Sequence, residues 1–361
     1  MADRYPDPAD LLPDTLAGQS FRWRCGSGVA MLGVSLKWKW RRGMDSNDRL
    51  SHARHPARLM EDLRAELAKK IAWFLGSEER QATRVPGLAL VRRTAPTAPC
   101  TGTYMPSLIV VAQGRKRVDL GQTTFFYDAS RFLLTSIDLP IVSQVVEASP
   151  TRPLLAMSLQ LEMPMVRELL NREDVPASAG EANAPAMVTG AVTAELLNAC
   201  CRLVDLLAHP RDIPFLGGQI QREIVYRLLC GREGARLRAI ATTGDQSHRT
   251  ARAIAWIRDN YAQAVRVEEL AEMAGMGVST LHHHFRVLTH MSPLQYQKQL
   301  RLQAARGRML LDGLDASTVA FEVGYESVSQ FNREYSRLYG QPPMRDIKAL
   351  RESSAVALNV A

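Results

Sequence analysis

Three consecutive histidines, His282, His283 and His284, stand in the stretch GVSTLHHHFRVLTH. Imidazoles grouped in this way can ligate a metal, move protons or hydrogen-bond a polar surface. Spacing decides among these uses. Leu281, Phe285 and Leu288 recur at i, i+4 and i+7 and mark a buried helical stripe. At 100° per residue the three histidines then point three ways, and a regular helix cannot converge them on one ion. His283 falls nearly opposite the stripe and His282 beside it, while His284 flanks the stripe as packing. Ser279, His282, His283 and Arg286 therefore form an outward, hydrogen-bonding face.

The element that carries this face occurs twice. LAEMAGMGVSTLHHHFRVLT (270–289) and VAFEVGYESVSQFNREYSRLY (319–339) share a skeleton that pairs Ala271 with Ala320, Gly275 with Gly324, Ser279 with Ser329, Leu281 with Phe331 and Phe285 with Tyr335. Each copy reads as helix, glycine turn, helix, the layout whose second helix enters a DNA major groove. In the second copy Ser327 and Gln330 are spaced as a capping box. Its outward positions are Ser329, Gln330 and Arg333. Arginine can pair bidentately with guanine and glutamine with adenine. Arg337, one turn on, suits a phosphate. Between the copies, Ser292 as N-cap, Pro293 at the first position and Gly313 as stop predict a helix over 293–311. Nineteen residues make about 28 Å, close to the roughly 34 Å between successive major grooves.

The rest of the chain narrows the function. Net charge is +8 over 361 residues, but positions 249–348 hold 13 basic against 10 acidic residues. A net +3 is too mild for a nonspecific DNA coat held by phosphate attraction alone. Five cysteines (Cys25, Cys100, Cys200, Cys201 and Cys230) form no C-x-x-C pair, which suggests a reducing, cytoplasmic compartment. Core packing is the default use of Cys200, Cys201 and Cys230. No stretch is long enough for a membrane span, and the acidic start is unlike a secretory signal.

From Gly87 to Leu161, runs such as LIVVAQG, RFLLTSIDLP and LLAMSLQL alternate with turn residues, predicting a small antiparallel barrel or sandwich. None of the eight histidines falls there, which argues against a metal-dependent barrel enzyme and for a ligand-sensing or structural role. Cys100 lies in a loop-like stretch, APTAPCTGTY, as a weak candidate for effector chemistry. Two amphipathic helices follow, in AVTAELLNACCRLVDLLAHP and GGQIQREIVYRLLCG, as a hairpin that packs on the β region or on a second subunit.

The double helix-turn-helix region resembles the DNA-binding domain of AraC/XylS-type transcription regulators, and PSLIVVAQGRKRVDLG with LPIVSQVVEASPTRP resembles the N-terminal domain of one branch of that family. Gly277 departs from the serine N-cap usual in the family, His283 from a frequent arginine, and Pro342-Pro343-Met344 from a Ser/Thr-Pro ending. The resemblance implies a multidomain β + α fold: a cupin-like antiparallel β-barrel, a helical linker and an all-α C-terminal domain with two helix-turn-helix motifs. The domains expected are an extension over 1–43, disordered or untranslated, with translation starting at Met44 or Met60, then a helix over 44–84, the barrel over 85–170, linker or dimerisation helices over 186–240, the DNA reader over 245–348 and a tail over 349–361. The implied function is sequence-specific transcription regulation without catalysis, cofactor or metal. Implied partners are an operator duplex, an organic effector, RNA polymerase if the regulator activates, and a second copy of the chain. A metal-dependent cupin-type enzyme and a nonspecific DNA-binding protein are the alternatives.

Overall fold

A computed structural model describes residues 56–176 and 185–359. The N-terminal extension and the alternative start at Met44 lie outside the described residues.

The described chain opens with helix α1 (Pro56–Leu75), followed by strands β1 (Arg80–Ala82), β2 (Leu88–Arg93), β3 (Cys100–Tyr104), β4 (Ser107–Gln113), β5 (Arg115–Leu120), β6 (Thr123–Asp128), β7 (Arg131–Thr135), β8 (Leu139–Glu147) and β9 (Leu154–Gln160). Helix α2 (Met163–Leu170) and strand β10 (Met187–Ala191) complete the β domain. The antiparallel β fold is present, but its closure differs from expectation. The strands form two separate sheets, β1-β2-β9-β4-β7-β10 and β3-β8-β5-β6, rather than a closed barrel. Among the described strands, β6 pairs with β5 alone and β10 with β7 alone, so both remain sheet edges.

Alternation along β4 shows how the layers are held. Leu108, Val110 and Ala112 face α1, whereas Ile109 and Val111 face the second sheet. A sheet covered on both faces needs a near-continuous apolar strand, as SLIVVA and LLAM provide. On α1, Leu63, Leu67 and Ile71 recur every four residues and are buried against that outer face. Cys100 begins strand β3 rather than lying in a loop, because it pairs with Ser143 across β8; its thiol is exposed.

Helices α3 (Ala194–Asp205) and α4 (Ile213–Cys230) pack on the same apolar layer, with Leu196, Cys200, Leu203 and Val204 buried. Cys200 and Cys201 are core residues, and burial raises both thiol pKa values. Cys230 departs from that reading: it ends α4 on the exposed side. The remainder is helical: α5 (Gly234–Ala241), α6 (Gln246–Asp259), α7 (Val267–Ala274), α8 (Val278–Thr289), α9 (Pro293–Leu311), α10 (Ala316–Glu322), α11 (Val328–Tyr339) and α12 (Pro343–Asn359).

Candidate nucleic-acid interface

The two repeat copies fold alike. In α7–α8 and in α10–α11 the short first helix ends at a glycine of positive φ, 64° at Gly275 and 91° at Gly324. A side chain at Gly324 would also put its Cβ 2.0 Å from the Ala262 carbonyl oxygen, so the tight turn and the close approach both require glycine. The paired core positions coincide: Ala271 and Ala320, Leu281 and Phe331, and Phe285 and Tyr335 are all buried. Phe285 meets Tyr296 edge to face at 5.6 Å, and Phe331 meets Tyr335 at 5.5 Å.

Two starts differ. At α8 the N-cap is Gly277, which offers no side-chain hydrogen bond. At α11 the Ser327 hydroxyl accepts from the Gln330 amide, but the reciprocal half of the expected capping box is not made there; Gln330 instead donates from Nε2 to Glu334. The full capping box sits at α9, where Ser292 and Gln295 exchange both bonds. Helix α9 spans Pro293–Leu311, ending before Gly313, which has φ 73°.

Every outward residue singled out in the sequence is exposed. Ser279, His282, His283 and Arg286 lie on α8, and Ser329, Gln330, Arg333 and Arg337 on α11. His284 is half-buried; burial first, then its neighbour His283, holds its pKa below the ordinary value. The His283 and His284 rings lie edge to face at 5.2 Å, side by side along the helix.

Three features escape sequence reasoning. Helix α9 is more than a spacer: Gln295, Lys298 and Gln299 line a cleft of about 740 Å³ together with Arg286 of α8 and Arg337 of α11. One residue of each outward face thus meets α9 and the β5–β6 turn there, whereas His282 and His283 line a separate cleft beside Pro185 and Gln330 another. His290, the C-cap of α8, takes a left-handed φ of 57° where the second copy has Gly340. Its Nδ1 lies 3.2 Å from the Thr123 hydroxyl at the β5–β6 turn, and burial lowers its pKa.

The third feature is the attachment of the reader to the β domain. The Tyr296 hydroxyl donates to the Asp138 carbonyl at 2.8 Å, and Arg258 bonds the Asp138 carboxylate at 2.5 Å. Gln303 donates to the Gly102 carbonyl and accepts from the Thr103 hydroxyl. The first unit shares a core with the sandwich, in which Leu281 and Phe285 join Ile109, Leu133 and Ile141. The second unit has its own core of Leu302, Met309, Val319, Phe331, Tyr335 and Ile347. Buried Asp346 locks that second core. Its carboxylate accepts from Arg306 at 2.7 and 2.9 Å, from the Tyr335 hydroxyl at 2.8 Å and from Gln341 at 3.1 Å.

Residues 84–236 match the model of the AraC-type transcriptional regulator N-terminus, and residues 270–348 match a helix-turn-helix domain model. The chain belongs to the AraC family. The HTH-type transcriptional activator RhaS of Yersinia pestis (strain Pestoides F) is similar to this AraC-type chain, 30% identical over 105 residues, which cover 29% of this chain and 38% of that protein. RhaS of Escherichia fergusonii is 31% identical over 101 residues, covering 28% and 36%. The chain thus matches less than two-fifths of the length of these relatives. Among solved structures, ToxT from Vibrio cholerae O395 is similar with a TM-score of 0.47 and 10% identity, covering 75% of this chain and 98% of that one.

Proposed function

We propose that this AraC-type chain is a sequence-specific DNA-binding transcription regulator whose β domain responds to a small-molecule effector. The observation that carries the reading is the pair of matched helix-turn-helix units, each with an exposed polar face on its second helix, joined through a capped 19-residue helix. Ser279, His282, His283 and Arg286 contact one half-site, and Ser329, Gln330 and Arg333 the other, with Arg337 on phosphate. The matched relatives are transcriptional activators by name, which favours activation and makes RNA polymerase a partner in the same reading. A second copy of the chain and a cytoplasmic location belong to it as well; catalysis, cofactor and metal do not. Among the described residues no helix is long and apolar enough to cross a membrane.

Mapping the DNA bound by the purified chain tests the reading. Arg333→Ala should relax preference at one base position and cost ~1–3 kcal/mol, whereas His282→Ala with His283→Ala should disturb the other half-site. A histidine pair whose removal changes bound zinc and leaves operator binding intact would refute the assignment.

A further inference from the structure

Three of the connections between the two sheets come together at one cleft: β4 to β5 at Gly114, β6 to β7 at Ala129–Ser130, and β8 to β9 at 148–153. Each crosses from one sheet to the other. The crossing at Gly114 is close: φ is 86°, and a Cβ there would stand 2.7 Å from the Glu147 carbonyl oxygen. Between the crossings lies a cleft of about 560 Å³, whose polar side chains include Arg64 from α1, Asp128, Ser130, Glu147 and Arg152. That volume suits a small organic molecule, and the open end of a β structure is a common place for one.

Two guanidinium groups, Arg64 and Arg152, and two carboxylates, Asp128 and Glu147, line this mouth, and after the Ser130 bonds the Arg115 and Arg64 charges help hold the Asp128 pKa down. Arg64 Nε is buried without a hydrogen-bond partner, a state that costs free energy unless something else accepts from it. Arg152 has no carboxylate within ion-pair distance among the described residues. Asp128 is engaged by the Ser130 amide and hydroxyl at 2.8 and 2.6 Å, and Glu147 by Arg115 at 3.4 Å. One register step deeper, Lys116 pairs with Tyr127 and Val145, and its ammonium donates to the Tyr104 hydroxyl at 3.1 Å rather than to a carboxylate. The Arg64 Nε and the Arg152 guanidinium thus keep donors unused at a polar opening, while the Asp128 and Glu147 oxygens can still accept from hydroxyls.

We infer that this mouth binds a small hydrophilic carboxylic acid, its carboxylate paired with Arg64 and Arg152 and its hydroxyls donating to Asp128 and Glu147. The inference rests on reading the β domain as effector-responsive and supplies the site that reading lacks. Strand β6 gives the site a route to the DNA reader: it runs from Asp128 at the mouth to Thr123, which contacts His290 at the end of α8. Six residues span about 17 Å of strand.

Calorimetric titration of the purified chain with citrate, D-gluconate, inorganic phosphate and uncharged D-glucose, at constant ionic strength, tests the site. Citrate or gluconate should bind saturably below millimolar concentration and glucose should not. Arg64→Gln and Arg152→Gln should each weaken the acid at least tenfold, with unchanged circular dichroism, and Arg211→Gln should leave it untouched. Absence of saturable binding by both acids, binding indifferent to both mouth substitutions, or preference for phosphate over both acids would overturn the proposal. Operator affinity measured by anisotropy in parallel separates the two readings. Acid binding that leaves operator affinity unchanged supports the site and defeats the effector role.

Discussion

Replacing Asp346 by alanine should destabilise the second helix-turn-helix unit and spare the first. The carboxylate is buried, with Arg306 17% exposed beside it and the Tyr335 ring fully buried. Burial alone would raise its pKa, but the Arg306, Tyr335 and Gln341 hydrogen bonds outweigh that and hold it below the ordinary value. Removing one member of a buried ion pair costs about 3–5 kcal/mol, because the remaining charge is left unpaired. Arg306 keeps partial compensation from the Thr101 hydroxyl at 3.3 Å and from the Tyr339 ring at 4.4 Å, so the lower figure of about 3 kcal/mol applies. This corresponds to a roughly 150-fold loss of hydrogen-exchange protection. Because the second unit has its own core, the loss should appear in amides of α11 and α10, while α8 keeps its protection. Exchange monitored by mass spectrometry reads both helices in one experiment. Equal loss in α8 and α11, or no loss in either, would refute the separation of the two cores. A depressed carboxylate pKa also gives a sign for pH: the stabilisation is present above the unfolded value and disappears as pH falls through the folded one.

Other outcomes follow from single contacts. Gly277→Ser should stabilise the first unit by about 0.5–1 kcal/mol in thermal melts, since Gly277 has an ordinary extended conformation and a Cβ there meets only Thr280 Oγ1 at 3.8 Å. Tyr296→Phe should cost about 1 kcal/mol by removing the bond to the Asp138 carbonyl, and tryptic cleavage between the β domain and the reader should become faster. His248, His284 and His290 all have pKa values lowered mainly by burial. The unfolded chain therefore binds more protons, and the melting temperature should hold above about pH 6.5 and drop as pH falls below it. Substituting His290 should flatten that drop.

Much of the reader was legible because its determinants are local. Glycine turns, the i, i+4, i+7 stripes and the Ser292-Pro293 start are written within a few residues of where they act. Strand β3 was not legible: Pro99 and Gly102 weaken the signal of CTGTY, and pairing with β8 some forty residues away makes it a strand. Strand β10, MVTGA, likewise owes its state to β7. Sheet closure depends on such distant pairings, which explains why two open sheets stand where a barrel was expected. At the candidate interface the outward faces were readable from periodicity. Lys298 and His290 were not, because their roles come from elements brought near only by the tertiary fold.

The shared core of the sandwich and the first reader has a consequence for genetics. Leu133 and Ile141 on the strands and Leu281 and Phe285 on the first unit pack in one apolar mass, so repacking one side disturbs the other. Under the proposed function, alleles selected for altered response to an effector should map to both segments, and many should alter operator occupancy without touching either ligand. Second-unit core alleles at Val319 or Phe331 should form a separate complementation class, defective in one half-site yet normal in response. The chain would then evolve as two linked traits rather than one, with the first helix-turn-helix unit inheriting every change made to the sandwich core.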